Sequence, residues 1–576
     1  MATTKKEIIR LLESIAIYME LKGDNPFKLS AFRKAANALE FDERDIAEVE
    51  DFTTIPGIGK GTAAVIMEYI ETGSSSVLEE LKKEVPKGLI PLLQIPGLGG
   101  KTIARLYKEL QIENIADLKT ACEVGKVRIL KGFGEKKEEK ILAAIESLSN
   151  KQDRLPLAMM IPIVEWIEDK LTNIPEINEF SRAGSIRRVK EMVKDLDFVI
   201  ATENPEIVRE QLLQLPNIKE KTNQGDTKVS IVFSFDHDVS VDFRLVQLNE
   251  FATTLHHFTG SKEHNVRMRQ IAKERHEKIS EYGVENLETG SVQTFSSEKE
   301  FYRHFQLPYI SPELREDGTE IDKLDLLDSL VENIHGDLHM HTTWSDGNHS
   351  LEEMIEACLR LGYEYMAITD HSQYLKVANG LTRDRLLKQK EEIARLNEKY
   401  RDIQILSGIE MDILPDGSLD FEDELLKEMD FVIASIHSAF SQSEELIMKR
   451  LANACKNPYV HMIGHPTGRV IGRRSGYPVN MDALIKIAKE TNTILELNAS
   501  PKRLDLHLEH LQKTEKAGLP IIINTDAHHT DTLTNMELGV KYARKAWIQK
   551  NTVLNTLPKH EFLQVLNKKR ESFQNR

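Results

Sequence analysis

The chain has 576 residues, 40% hydrophobic and 29% charged, the balance of a soluble globular protein and too long for one ordinary domain. Its three cysteines (Cys122, Cys358, Cys455) form no C-x-x-C pair, which argues against a disulfide framework or cysteine zinc site and fits a reducing cytoplasm. A net charge of −16 argues against coating nucleic acid by bulk electrostatics. The first 150 residues hold 22 basic against 24 acidic residues, leaving 54 against 68, so any DNA contact must come from local sites.

Residues 1–20 form a charge-studded amphipathic helix pattern rather than a signal peptide, and no run reaches bilayer length, so no membrane partner is expected. The first 150 residues read as short helices separated by glycine turns, with an internal repeat. I-P-G-I-G-K at 55–60 recurs as I-P-G-L-G-G at 95–100 and more loosely as L-K-G-F-G-E at 130–135. A Gly-x-Gly turn entering a helix exposes backbone N–H groups that bind a phosphate oxygen without reading sequence. One such turn is equally a helix cap. Two good copies favour phosphate binding through Gly57, Gly59, Gly97 and Gly99, and the third stays open between the two readings. These segments resemble helix–hairpin–helix DNA-binding elements, with residues 1–85 and 86–150 as separate helical domains.

From about residue 155 the pattern becomes α/β: a helix over Ala158 to Leu171, then strands over Asp195 to Ala201, Lys228 to Phe235 and Val239 to Val246. Asp195 and Asp197 share one face of a strand, and Asp242 lies on another strand with Val241 and Phe243 facing away. Three converging carboxylates repel unless cations neutralise them; two Mg²⁺ or Mn²⁺ ions would do so and activate a 3′-hydroxyl. Upstream, Gly184 and Ser185 can cradle a triphosphate and Arg188 can pair with its charge. A D-x-D on a strand is usually solvent-facing and inert, but the preceding G-S-I-R-R favours nucleotidyl transfer.

The set G-S-I-R-R, D-L-D and V-D-F-R resembles the palm of family X DNA polymerases, the polymerase beta-like family. The resemblance covers roughly residues 1–315 and continues through F-T-G-S at 258–261. It implies that Phe258 and Gly260 line the incoming nucleotide, Asn265 touches its minor-groove edge, Arg269 touches the template and Arg154 adds a triphosphate contact. It also implies that Lys28, in N-P-F-K-L-S-A-F-R-K, holds a 5′-phosphate. His257 stands where animal members have Tyr, so exclusion of ribonucleotides is not implied. Val65 occupies the position of the Schiff-base lysine of lyase-active relatives and cannot form an imine, so lyase activity is not expected even with Lys60 nearby.

A polar, then acidic stretch, 316–333, reads as a linker. After His335, apolar strands alternate with helical patterns: seven strands, suggesting a parallel barrel or open sheet. His339 and His341 share a strand face. Asp346, His371, Glu410, His437, His465, Asp526 and His528 follow, nearly all just beyond strand C-termini, which meet at one mouth in such folds. A lone His after a strand is usually structural; nine groups at equivalent places point to metal. The motifs D-L-H-M-H, T-D-H, G-I-E, G-H-P and D-A-H resemble the polymerase and histidinol phosphatase (PHP) domain, a distorted (β/α)7 barrel binding up to three metals, Mn²⁺ or Zn²⁺. The resemblance implies His339, His341, Glu410 and Asp526 on one ion, Glu410, His437 and His465 on a second, and Asp346, His371 and His528 on the third. It implies 3′→5′ exonuclease activity and incision at abasic sites.

The expected architecture is therefore multidomain: helix–hairpin–helix regions (1–85, 86–150), an α/β nucleotidyltransferase palm (151–255), a thumb (256–315), the linker, and a PHP barrel (334–570). The expected protein is a cytoplasmic, monomeric gap-filling DNA polymerase acting on gapped or primed DNA and deoxynucleoside triphosphates, with an intrinsic nuclease. Two readings compete with it: a template-independent nucleotidyltransferase fused to a phosphoesterase, and a non-catalytic DNA-binding scaffold.

Overall fold

The computed structural model describes residues 5–42, 44, 46, 49, 51–95, 98–130, 132–152 and 154–574. They fall into two units, Met1–Asp153 and Arg154–Arg576. In the first unit, helix Pro26–Phe41 is opened by Asn25, whose side chain accepts from the Phe27 N–H, with Pro26 where a missing donor costs nothing. Its apolar residues gather into two cores, one running from Ile8 to Leu81 and one from Val85 to Ile145. Helix Lys5–Lys22 serves both, because Leu12 and Ile15 enter the first core and Leu21 the second.

The second unit starts with helix Leu157–Thr172, which packs on a five-stranded sheet. Its strands are β1 (Glu179–Arg182), β2 (Asp195–Ala201), β3 (Ile218–Gln224), β4 (Lys228–Ser234) and β5 (Asp238–Val246), in the order β1-β2-β5-β4-β3. Only β2 and β5 run parallel. Leu196, Phe198 and Ile200 point into the main core, while Val199 and Ala201 point to a small second core with Phe251 and Leu255. By the two-residue period, Asp195 and Asp197 share that second face, under helix Phe251–Thr259.

Helices Phe251–Thr259, Lys262–Glu274 and Glu298–His304 then pack with a three-stranded antiparallel sheet around Met268, Phe301, Tyr302 and Phe305. The segment expected to be a linker is packed against this layer. It contains the 3-10 stretch Thr319–Ser329, and Glu320, 2% exposed, places Oε1 2.5 Å from His264 Nδ1.

All seven expected C-terminal strands form: β6 (Gly336–Asp337), β7 (Tyr365–Ile368), β8 (Gln404–Asp412), β9 (Phe431–Ser435), β10 (Met462–Ile463), β11 (Ile494–Asn498) and β12 (Ile521–Asn524). They are parallel and neighbour one another in chain order. The ends of the sheet meet through His341 N–H to Ala527 O, 2.8 Å, and Ala527 N–H to His339 O, 3.3 Å, so the sheet curls into a nearly closed barrel. Among the described residues, no helix is long and apolar enough to cross a membrane. The three cysteines are buried and unpaired.

Candidate active sites

Register brings the sheet carboxylates together. Asp197 on β2 lies directly opposite Asp242 on the neighbouring parallel strand β5, and Asp195 lies opposite Ser240. Burial, then the charges of Asp195 and Asp242, push the Asp197 carboxyl up to about 7. A buried carboxyl crowded by two neighbouring acids forms a site that a cation would relieve. Lys228 offsets part of this charge, its Nζ lying 2.7 Å from Asp242 Oδ2.

A cleft of about 440 Å³ opens beside these acids. It is lined by Gly184, Ser185, Arg188, Asp195, Asp197, His257, Phe258, Gly260, Ser261, Lys262, Asn265 and Arg269. The G-S-I-R-R turn and the F-T-G-S stretch, 70 residues apart in sequence, thus face one space. Gly184 has φ +61, and a β-carbon there would sit 2.3 Å from Asp197 Oδ2, so the turn approaches the carboxylate as only glycine allows. Arg188 Nη1 donates to the Thr259 carbonyl and ties the two stretches together. Asn265 donates through Nδ2 to the His257 carbonyl, 2.8 Å, while its buried Oδ1 meets no protein donor. Arg154 does not reach this cleft; it lines a separate cavity with Lys190, Glu191 and His507. Sequence reasoning passed over Arg244, whose guanidinium lies 4.3 Å from the Phe258 ring centroid and braces it.

In the N-terminal unit, Gly57 has φ +105, and Gly59 is the N-cap of helix Lys60–Thr72. Gly99 caps helix Gly100–Leu110 in the same way, and Gly97 lies outside the described residues. Lys28 is exposed in the first turn of helix Pro26–Phe41, beside Phe27, which is 85% exposed. Val65 is buried in the first core, so that position points away from any solvent-borne sugar.

At the barrel mouth all nine predicted groups converge, with Glu410 at the centre. Its Oε1 lies 3.2 Å from His437 Nε2 and 2.9 Å from His465 Nε2. Its Oε2 lies 2.9 Å from His371 Nδ1, 3.4 Å from His339 Nε2 and 3.6 Å from His341 Nε2. Asp526 Oδ1 stands 3.2 Å from His341 Nε2 and 3.5 Å from His339 Nε2. Asp346 Oδ1 stands 3.6 Å from His371 Nε2 and 3.4 Å from His528 Nε2. Three groupings could each hold an ion: His339, His341 and Asp526; His371, Glu410 and His437; and His341, Asp346, His371 and His528. His341 and His371 therefore bridge groupings that the sequence expectation kept apart.

The chemistry of the donors fits divalent metal. His339 Nε2 and Glu410 Oε2 are both buried and neither forms a hydrogen bond, although they are 3.4 Å apart, the spacing of two ligands rather than of donor and acceptor. Burial, then the neighbouring His528 and His371, hold the His341 imidazole down to about 3, in the neutral form that ligates. Burial would raise the Glu410 carboxyl, yet His437, His339 and His371 keep it well below the usual range. Two of the nine groups sit on left-handed backbone, His465 at φ +27 and Asp526 at φ +55, a strain that the surrounding strands enforce.

Residues missed in the sequence orient these groups. Glu496 on β11 accepts from His339 Nδ1 at 2.7 Å through Oε1 and from the His465 N–H at 2.7 Å through Oε2. Asp412 Oδ1 stands 3.2 Å from His437 Nδ1. Asp370, the acid of T-D-H, accepts from the Thr342 N–H and the Ser345 and Gln389 side chains, and so fixes the loop that carries Asp346.

The fold and its two clusters define a two-centre phosphoryl-transfer enzyme: a nucleotidyltransferase sheet with its helical companion, joined to a PHP barrel. Family models agree segment by segment: a helix-hairpin-helix domain over residues 3–75, a SAM-like helix-hairpin-helix tandem over 89–147, a DNA polymerase beta thumb over 254–316 and a PHP domain over 337–500. The chain is 59% identical to the DNA polymerase/3′-5′ exonuclease PolX of Bacillus subtilis (strain 168), over 96% of this chain and 97% of that protein. Probable phosphatases of Thermoanaerobacter sp. (strain X514) and Clostridium acetobutylicum match at 31% and 28% identity, each over 38% of this chain and 89% of the relative. The chain belongs to the PolX family of bacterial family X DNA polymerases with a C-terminal PHP domain.

Proposed function

We infer that this chain is a DNA polymerase that fills short gaps during repair and trims 3′ ends with its own PHP exonuclease. The observation that carries the first half is the register of Asp197 against Asp242 beside a cleft that also gathers Gly184, Arg188, Phe258 and Asn265. The second half rests on the nine-group barrel mouth centred on Glu410. The helical regions 1–85 and 86–150 would grip the DNA backbone, with 151–255 as palm, 256–315 as thumb and 334–570 as nuclease.

Asp195, Asp197 and Asp242 would hold two ions, Mg²⁺ or Mn²⁺, and the barrel groupings up to three, Mn²⁺ or Zn²⁺. Bound ions at either centre neutralise phosphoryl charge and make the attacking oxygen more acidic. The protein's own part in the sheet site is positioning. The Gly184–Ser185 turn offers backbone N–H groups to the triphosphate of a deoxynucleotide, and Arg188 pairs with its charge. Phe258 and Gly260 form a floor for the sugar, Asn265 Oδ1 is free to accept from the minor-groove edge of the base, and Arg269 reaches the template. Gly57, Gly59, Gly99 and Lys28 would hold DNA phosphates, a mode that needs little net positive charge.

In the barrel, Glu410 stays ionised, His341 stays neutral, and Glu496 and Asp412 lock the imidazole orientations, so the mouth is organised before a 3′ terminus arrives. Primer extension on a gapped duplex and on the single-stranded primer alone tests the leading reading. Template-directed lengthening supports it; equal extension without template would defeat it in favour of an untemplated transferase.

A further inference from the structure

The segment that follows the G-S-I-R-R turn is held in place by the barrel. Val189 is a buried β-branched residue at φ +54, a conformation that such side chains avoid and that persists only when neighbours enforce it. Groups from helix Asn535–Lys545 and from the loop after β10 bond the residues on either side of Val189. Lys545 Nζ, almost wholly buried, donates to the Arg188 carbonyl at 2.9 Å and to Glu316 Oε1 at 2.5 Å. Glu316 in turn bonds Lys190, stands 3.6 Å from Arg188 Nε, and accepts the Ser261 hydroxyl at its backbone carbonyl, 2.6 Å. Two residues on, Glu191 is gripped by Arg469 at 2.9 and 3.2 Å and by the Tyr542 hydroxyl. Arg188 and Ser261 line the nucleotide cleft, so one barrel lysine reaches both walls of that cleft, one directly and one through Glu316.

We propose that Lys545, supported by Tyr542, is a positioning residue for the triphosphate end of the nucleotide cleft, so that the nuclease barrel supplies part of the scaffold for polymerisation. Neither residue touches the nine barrel ligands at the mouth, and neither faces the nucleotide itself. This rests on the reading of the sheet cleft as the nucleotide site. The physical reason is that a strained turn carrying a catalytic cationic side chain is only as well placed as the contacts that over-determine it. Removing a charge-assisted hydrogen bond to the Arg188 carbonyl lets the turn relax, and the guanidinium moves off the phosphates.

The test uses the full chain and single-nucleotide insertion into a gapped duplex, reading KM for the deoxynucleotide and kcat separately. Exonuclease rate and melting temperature are measured in parallel. Lys545→Met keeps length and removes charge; Tyr542→Phe removes one oxygen and keeps the ring; Lys541→Ala on the same helix, exposed, serves as control. The expected result is a KM raised about tenfold in Lys545→Met, the scale of one charge-assisted hydrogen bond. A smaller rise in the same direction is expected for Tyr542→Phe, with the control and every exonuclease rate unchanged; Lys545→Met, which removes one partner of a buried charge pair, should melt lower but stay folded at the assay temperature. A KM within twofold of wild type in both folded variants would overturn the proposal, whatever kcat does. So would a parallel loss of both activities, which marks a general structural role. If Lys545→Met fails to fold, Tyr542→Phe decides alone. Failure of the underlying reading looks different: the wild-type chain itself would show no templated insertion.

Discussion

Gly184 and Asp197 are packed so that a β-carbon on the glycine would overlap the carboxylate, at 2.3 Å from Oδ2. The left-handed backbone of Gly184, φ +61, removes the option of a small shift. Gly184→Ala must therefore displace either the turn or the carboxylate. Displacement of about 1 Å at a reacting centre costs roughly 100-fold. Templated insertion by Gly184→Ala is expected to fall by that order in kcat/KM, while the exonuclease rate, set at the separate barrel mouth, stays at the wild-type level. An Ala variant with normal insertion kinetics would show that the close contact has no bearing on catalysis.

Glu496 gives a second test. Its two oxygens hold His339 and the backbone of His465, so Glu496→Gln keeps the shape and weakens the acceptor. Loss of such an orienting partner typically costs about 10–100-fold in metal affinity or activity. Titration of the chain with Mn²⁺, followed by isothermal calorimetry and by exonuclease rate, should show weakened binding with polymerisation unaffected. Identical Mn²⁺ binding in Glu496→Gln would remove this orienting role.

A buried ion triad with a pH signature joins the thumb to the G-S-I-R-R turn. Glu298 bonds Arg187 at 2.7 Å and Arg315 at 2.6 Å, and Arg315 is fully buried. Burial opposes ionisation, but Arg315 and Arg187 outweigh it and bring Glu298 from an ordinary 4.5 down to about 2. The unfolded chain therefore binds the proton first on acidification. The stabilisation is complete above about pH 4.5 and is lost as pH falls from there through 2. At pH 7, Glu298→Gln should destabilise by about 3 kcal/mol. The melting-temperature gap between wild type and variant should narrow below pH 4.5. A gap that stays constant from pH 7 to pH 3.5 would contradict the shifted carboxyl.

What was legible in the sequence follows from where each residue sits. Nearly all of the nine barrel groups end apolar strand runs, as His371 ends Ala-Ile-Thr-Asp and His437 ends Ala-Ser-Ile, so strand pattern and candidate group marked each other. The sheet acids were readable for the same reason, through the alternation of Leu196 and Phe198 with Asp195 and Asp197. Strand β3 was not. Its run Ile218–Gln224 is polar and almost wholly exposed at a sheet edge, with register shifts that spoil any two-residue period. Glu496 and Asp412 were hidden because a single acid within a strand run carries no spacing signal; their partners lie 157 and 25 residues away. The barrel's grip on Glu191 spans 278 residues to Arg469 and 351 to Tyr542, pairings that only the tertiary fold creates.

The proposed function gives this chain two separate cation-gathering centres, one joining nucleotides and one removing them. Its most direct measurement is a time course on a gapped duplex with Mn²⁺, resolving lengthened and shortened products for two double variants. Asp195→Ala with Asp197→Ala should abolish lengthening and leave shortening at the wild-type rate; His339→Ala with His341→Ala should do the reverse. Loss of both activities in either folded variant would contradict the division into two sites.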